Sequence, residues 1–270
     1  MSLHSSTVED RVDISVLFIT YNRSDLLDIT LRSIRDRVDF ENLRYEFIVS
    51  DDASDAMHLA HVQSLLFDKY VFSPTNKGLG ANCNKGIVAS KGSYILQIQD
   101  DCEFMGDPTL ISRAVRILET DPDIGIIQLS IQTTHLPHET RCLDDGTRYV
   151  VFENDGIPQK RATRRPYSDQ PHLKRRQFFE DLGHYQERVP MTIMEIDYKQ
   201  RVACQQRWRV AALCSEGNFR HLGCSRSFNP CSRRARRIEM IQELPFLGPI
   251  FRRVRLTLRR VRDWVRTSRT

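Results

Sequence analysis

The spacing of apolar and polar positions changes period repeatedly along the first half of the chain. Val12 to Tyr21 (VDISVLFITY) is an unbroken run rich in β-branched and aromatic residues, which predicts a buried strand. Ser24 then stands where a helix N-cap is expected, and Leu26, Leu27, Ile29, Leu31 and Ile34 form a helical stripe behind it. Tyr45 to Ser50 predicts a second strand and Tyr70 to Phe72 a short third, before the turn residues Ser73 to Gly78. Gly80 to Ser90 reads as a helix, Ser93 to Ile98 as a strand, Pro108 to Thr120 as a helix and Ile124 to Ile131 as a strand. Strands alternating with helices of this length predict an α/β domain whose mostly parallel sheet is flanked by helices on both faces.

The pattern fades after this. Residues 132–176 are polar and irregular, with Val150 to Phe152 as the one strand-like piece; so long an insertion reads as functional. Ile193 to Gln206 predicts a helix and Arg209 to Leu213 a strand. One domain over 12–230, divided into halves at 131/132, followed by a tail over 231–270, accounts for the whole chain.

Charge sharpens that last boundary. The chain carries +5 in all, yet residues 231–270 hold twelve arginines against Glu239, Glu243 and Asp263, so the body before them is mildly acidic. Pro249 opens a pattern in which Ile250, Phe251, Val254, Leu258, Val261 and Val265 recur at three- and four-residue spacing among arginines. This predicts a basic amphipathic helical tail that lies on an anionic membrane surface, or packs on protein. No nucleic-acid module accompanies it. The seven cysteines show no C-x-x-C pair, which argues against a disulfide framework and a zinc site. Neither a leader segment nor a stretch near the ~20 apolar residues of a membrane span is visible. The expected location is cytoplasmic, peripheral at the inner face of a membrane.

In an open parallel sheet, ligands bind beyond the carboxyl ends of the strands. Those ends read Thr20-Tyr21-Asn22-Arg23, Ser50-Asp51-Asp52-Ala53-Ser54 and Gln99-Asp100-Asp101-Cys102-Glu103. Five acids gathered there repel one another unless a cation or hydrogen-bond donors offset them, and oxygen-rich sites suit Mg²⁺ or Mn²⁺ shared with phosphates. The plain alternative is that an Asp at a strand end merely holds a turn. The Asn76-Lys77-Gly78-Leu79-Gly80 segment could open a helix near a pyrophosphate.

Four ordered segments, SVLFITYNR (15–23), FIVSDDAS (47–54), NKGLGANCNKGI (76–87) and SYILQIQDDCE (93–103), resemble the nucleotide-binding half of inverting GT-A glycosyltransferases of family two. Gly183 to His221 resembles the second half more loosely. The resemblance implies a Rossmann-like GT-A fold and a nucleoside diphosphate sugar donor, UDP-sugar before GDP or dTDP. It implies Tyr21 and Arg23 near the base, Asp52 accepting a hydrogen bond from it, Asp100 facing the ribose and Asp101 binding Mn²⁺ or Mg²⁺. Gln99 departs from the family, which often has a third acid there. Within MEIDYKQRV (194–202), Glu195 falls at the position of the general base, where the family more often has Asp; Asp197 and Glu187 are the alternatives. Read from the residues alone, Glu195 could equally be a first-turn acid stabilising its helix. Phe219-Arg220-His221-Leu222-Gly223 resembles the closing segment whose His completes the metal or diphosphate site; Glu103 and His184 are weaker candidates.

The expected activity is metal-dependent, inverting transfer of a hexose to a hydroxyl of a glycan or glycolipid, in polysaccharide biosynthesis. Two other classes compete: a catalytically silent relative that binds nucleotide or membrane, and a nucleotidyltransferase. The second lacks support because Thr20-Tyr21-Asn22-Arg23 is not a glycine-rich basic loop.

Overall fold

A computed structural model of the chain describes residues 11–130, 136–153 and 166–223. Its first unit, through Arg220, begins β1 (Ile14–Thr20), α1 (Ser24–Arg37), β2 (Tyr45–Asp51), α2 (Ala56–Ser64), β3 (Lys69–Phe72), α3 (Leu79–Ala89) and β4 (Tyr94–Gln99). It continues β5 (Cys102–Phe104), α4 (Leu110–Thr120), β6 (Ile124–Gln128), β7 (His138–Cys142), β8 (Arg148–Phe152) and β9 (His172–Arg175). Then come α5 (Arg176–Leu182), α6 (Met191–Cys204), β10 (Arg209–Leu213) and β11 (Phe219–His221), whose last residue opens the second unit. That second unit, His221–Thr270, is described only at His221, Leu222 and Gly223, so the predicted basic tail lies outside the described residues.

Nine strands form one sheet in the order β3-β2-β1-β4-β9-β6-β10-β8-β7, while β5 and β11 pair in a small ladder of their own. In the large sheet β9 and β8 run against the rest, so the sheet is mostly parallel. Its apolar strands are covered on both faces. Val16 and Phe18 enter one core with Leu27, Leu31 and Ile34 of α1 and Ile111 and Val115 of α4. Leu17 and Ile19, pointing the other way by the period of two, enter a second core with Cys83 and Ile87 of α3, Phe178 of α5 and Met194, Tyr198 and Val202 of α6. The α/β expectation, with helices on both faces, is met.

Within the stretch 132–176, the described residues 136–153 and 166–176 are not irregular. They supply the β7–β8 hairpin and, in the middle of the sheet, β9. Periodicity could not reveal β9, because its sequence is His172-Leu173-Lys174-Arg175 and both His172 and Lys174 are fully buried. The burial is sustained by hydrogen bonds: Lys174 Nζ donates to Gln97 Oε1 at 2.8 Å and to the Tyr185 hydroxyl at 3.0 Å. One smaller difference concerns the first helix. Ser24 is the first residue of α1, not its cap; Arg23 takes that place, and the Ser24 hydroxyl faces His58 Nδ1 at 2.8 Å. Cys83 and Cys102 are core residues, while Cys142, Cys204 and Cys214 are exposed free thiols. Among the described residues no helix is long and apolar enough to cross a membrane.

Candidate active site

The register of three parallel strands brings their ends level. Thr20 pairs with Asp51 across β1–β2, and Ile19 with Gln99 across β1–β4. Tyr21, Asp52 and Asp100 therefore leave the sheet at one edge, in neighbouring turns. Two of these turns carry left-handed backbone at non-glycine residues, Asn22 (φ 50°) and Ala53 (φ 65°), a strain typical of functional loops. Cross-links hold it: Asn22 N–H donates to Ser54 Oγ at 2.7 Å, and Asp55 N–H to Asn22 Oδ1 at 2.8 Å.

Arg23 is the centre of the arrangement. Its Nη1 lies 2.7 Å from Asp101 Oδ2, while Nε and Nη2 lie 3.2 and 2.6 Å from the two oxygens of Asp100. Asp100 also accepts from Thr20 Oγ1 at 2.9 Å and from the Tyr21 N–H at 3.4 Å. Burial nevertheless pushes the Asp100 carboxyl up to about 7, against the pull of Arg23 and with the push of Asp101. Its Oδ1 is buried and, for all the nearness of Nη2, has no aligned hydrogen bond among the described residues.

Asp51 and Asp52 are turn-holders. Asp51 accepts from the N–H and hydroxyl of Ser54. Asp52 accepts from the N–H of Lys77 at 3.0 Å and of Gly78 at 2.7 Å, drawing the turn before α3 onto the end of β2. Gly78 has φ 89°, which its lack of Cβ permits. Lys85, half-buried behind them, bonds the carbonyls of Asp51 and Val71, and burial lowers its ammonium to about 8.

The second half meets the first through α3. Asn84 binds Tyr185 O and Glu187 Oε1, both at 2.9 Å, and the Arg188 N–H reaches Lys77 O at 3.1 Å. Glu195 sits in the second turn of α6, which begins at Met191, so the first-turn alternative for it falls away. It pairs with Lys199 at 2.8 Å, one turn on. Asp197 is tied to Arg201 at 2.7 Å. Glu103 belongs to the small ladder, where Arg220 and Arg37 take its charge, and does not join the Arg23 cluster. His184 stacks on Phe179 at 5.2 Å. His221 begins the second unit, where its Nδ1 accepts from the Gly223 N–H at 3.3 Å.

One cluster has no counterpart in the sequence reading. Asp169, just before β9, accepts a 2.5 Å hydrogen bond from the Tyr167 hydroxyl and receives Gln99 Nε2 on its carbonyl at 3.4 Å. Burial, and to a lesser degree the charge of Glu195, pushes Asp169 up to about 6 although Tyr167 pulls the other way. The only available signal was an acid followed by Pro171 in a polar stretch, which is indistinguishable from a loop.

Among the described residues no three His, Cys, Asp or Glu side chains cage an ion by themselves. The buried carboxylates of Asp101 and Asp100, both ion-paired to Arg23, are the hard oxygen donors that a divalent ion would take here, its remaining ligands coming from a bound phosphate.

Known proteins place this geometry. An uncharacterised glycosyltransferase of Haemophilus influenzae is 27% identical over 153 residues, 56% of this chain and 47% of that protein, so the chain spans about half the length of this curated relative. The S. aureus TarS 1–349 crystal structure superposes with a TM-score of 0.55 at 16% identity, covering 78% of this chain and 61% of that one. The mannosyltransferase PcManGT of Pyrobaculum calidifontis, solved with GDP-Man and Mn²⁺, superposes with a TM-score of 0.54 at 16% identity, covering 87% and 62%. These likenesses show the GT-A fold. The description Glycosyl transferase family 2 matches residues 15–183, most of the chain, and the chain belongs to that family.

Proposed function

We propose that the chain transfers a hexose from a nucleoside diphosphate sugar, UDP-sugar before GDP- or dTDP-sugar, to a hydroxyl of a glycan or glycolipid, with inversion at the anomeric carbon. The observation that carries this is the buried Asp100–Asp101 pair at the carboxyl edge of β1 and β4, neutralised by one guanidinium. Two acids kept in so dry a place are an arrangement for holding positive charge against a phosphate-bearing ligand. TarS bound to UDP-GlcNAc and PcManGT bound to GDP-Man support a nucleotide sugar as the donor class.

In this scheme Tyr21 and Arg23 lie near the base and Asp52 keeps the 76–78 turn in place while facing the base. Asp100 receives the ribose. Asp101 would hold Mn²⁺ or Mg²⁺, which would supply charge neutralisation for the departing diphosphate. The acceptor oxygen bonds to the anomeric carbon as the bond to the diphosphate breaks. The nucleoside diphosphate leaves with the electron pair, and Glu195 takes the hydroxyl proton. Lys199, 2.8 Å away, pairs with the Glu195 carboxylate and holds it in place on the helix. The arginine-rich residues 231–270 support peripheral membrane contact, with a lipid-linked acceptor at the inner face.

Calorimetric titration of UDP, GDP and dTDP, with and without Mn²⁺, tests this. Metal-dependent binding of one nucleotide, abolished in Asp101→Asn, is the expected result. No binding to any of them would favour a catalytically silent relative, for which Gln99 and the ion pairing of both acids to Arg23 already speak.

A further inference from the structure

Asp169 has no role in the scheme above, yet it stands in the same site. β9 runs antiparallel to β4 with His172 opposite Gln97, so the residues before β9 extend past Gln97 toward Gln99 and Asp100. The Gln99 and Gln128 side-chain amides hold the carbonyls of Asp169 and Ser168 at 3.4 and 3.1 Å. Tyr167 and Tyr185, whose rings pack on Tyr198 of the helix that carries Glu195, join their hydroxyls at 2.9 Å. Lys174 donates to the Tyr185 hydroxyl, and Tyr167 to Asp169 Oδ1, so a continuous buried chain anchors one carboxylate oxygen. The other, Oδ2, is buried and has no hydrogen-bond partner among the described residues, in a residue only 8% exposed.

A bare carboxylate oxygen in a dry site is costly unless a ligand brings a donor. A second cation is disfavoured, because Lys174 and Lys199 already act on Asp169. A neutral donor remains. We propose that Asp169 is a sugar-binding residue, its Oδ2 accepting a hydrogen bond from a hexose hydroxyl held between Gln99 and Glu195, with Tyr167, Tyr185 and Lys174 as positioning residues.

This role presumes the glycosyl-transfer reading of the site. The test is calorimetry of UDP, UDP-glucose, UDP-N-acetylglucosamine, GDP and GDP-mannose, each with Mn²⁺, on the native protein, Asp169→Asn and Tyr167→Phe. If the hydroxyl is the donor's, Asp169→Asn binds the free nucleotide within about 2-fold of native but loses about 10-fold or more for the nucleotide sugar. Tyr167→Phe, which keeps the carboxylate, shows a smaller loss that is again specific to the sugar, and it decides the matter should Asp169→Asn not fold. If the hydroxyl is the acceptor's, both affinities and hydrolysis of the donor by water stay native, while transfer to aryl glycosides shows a raised acceptor KM. Native sugar affinity together with native transfer in Asp169→Asn overturns the assignment and leaves the glycosyltransferase standing. Equal losses for nucleotide and nucleotide sugar also overturn it, as a structural effect. A native protein that binds no nucleotide sugar overturns both readings together.

Discussion

Arg23 reaches from the end of β1 to Asp101 after β4, Nη1 to Oδ2 at 2.7 Å, with its side chain 14% exposed and the carboxylate 2% exposed. The same guanidinium contacts both oxygens of Asp100, so one cation serves two buried carboxyls, and burial raises that of Asp100 to about 7. Removing one partner of such a pair leaves uncompensated buried charge. Arg23→Ala should therefore lower stability by about 3 kcal/mol, read by urea denaturation without metal. Added Mn²⁺ should recover part of the loss; an unchanged midpoint would show that the pair is not a structural necessity.

Glu195→Gln preserves shape and removes the basic oxygen. Nucleotide affinity should stay native while sugar transfer falls about 10²- to 10⁴-fold, measured as diphosphate release in the presence of acceptor. Transfer at the native rate would move the base elsewhere, to Asp197 or Glu187.

Gly80 lies where α3 meets the 185–188 segment, and a Cβ there would stand 2.0 Å from the Gln186 carbonyl oxygen. Gly80→Ala should cost about 1–3 kcal/mol, because the obstacle is backbone that must move. Its thermal midpoint and its transfer rate should fall together, since Asn84 and Glu187 share that contact. A variant as stable as native would mean the segment shifts freely.

Asp169 gives a pH signature. Its folded carboxyl sits near 6 instead of the ordinary 3.8, raised by burial and Glu195 and opposed by Tyr167, Lys174 and Lys199. Between about pH 4 and 6 the folded protein holds a proton the unfolded chain has released, so this group's contribution to stability declines as pH rises and is level above 6. Asp169→Asn should match the native protein near pH 4 and exceed it at pH 7. Buried His172, lowered to about 3 by burial and Lys174, slopes the opposite way in both proteins and cancels in the comparison. A difference that does not change with pH would remove Asp169 from the titrating groups.

The strand ends were legible because apolar runs buried on both faces stop abruptly at polar residues. Thr20, Asp51 and Gln99 end β1, β2 and β4 within a residue or two of where the runs stop. Asp51, Asp52, Asp100 and Asp101 were thus visible together, but not their division of labour. Backbone donors at Ser54, Lys77 and Gly78 claim the first two, and Arg23 claims the others. Val150 to Phe152 was likewise visible, whereas β9 was not, since a strand is recognised by apolar residues and this one carries a lysine to the middle of the sheet.

The sequence by itself determined the α/β layering, the family and the positions of the acids, because each depends on local period or on ordered segments. Only the tertiary structure decided which cation meets which acid, and that Gln99 reaches Asp169. Those partners lie 77 residues apart for Arg23 and Asp100, 70 for Gln99 and Asp169. Contacts of that span are set by strand register and the insertion of β9 between β4 and β6, and no local pattern of residues encodes them.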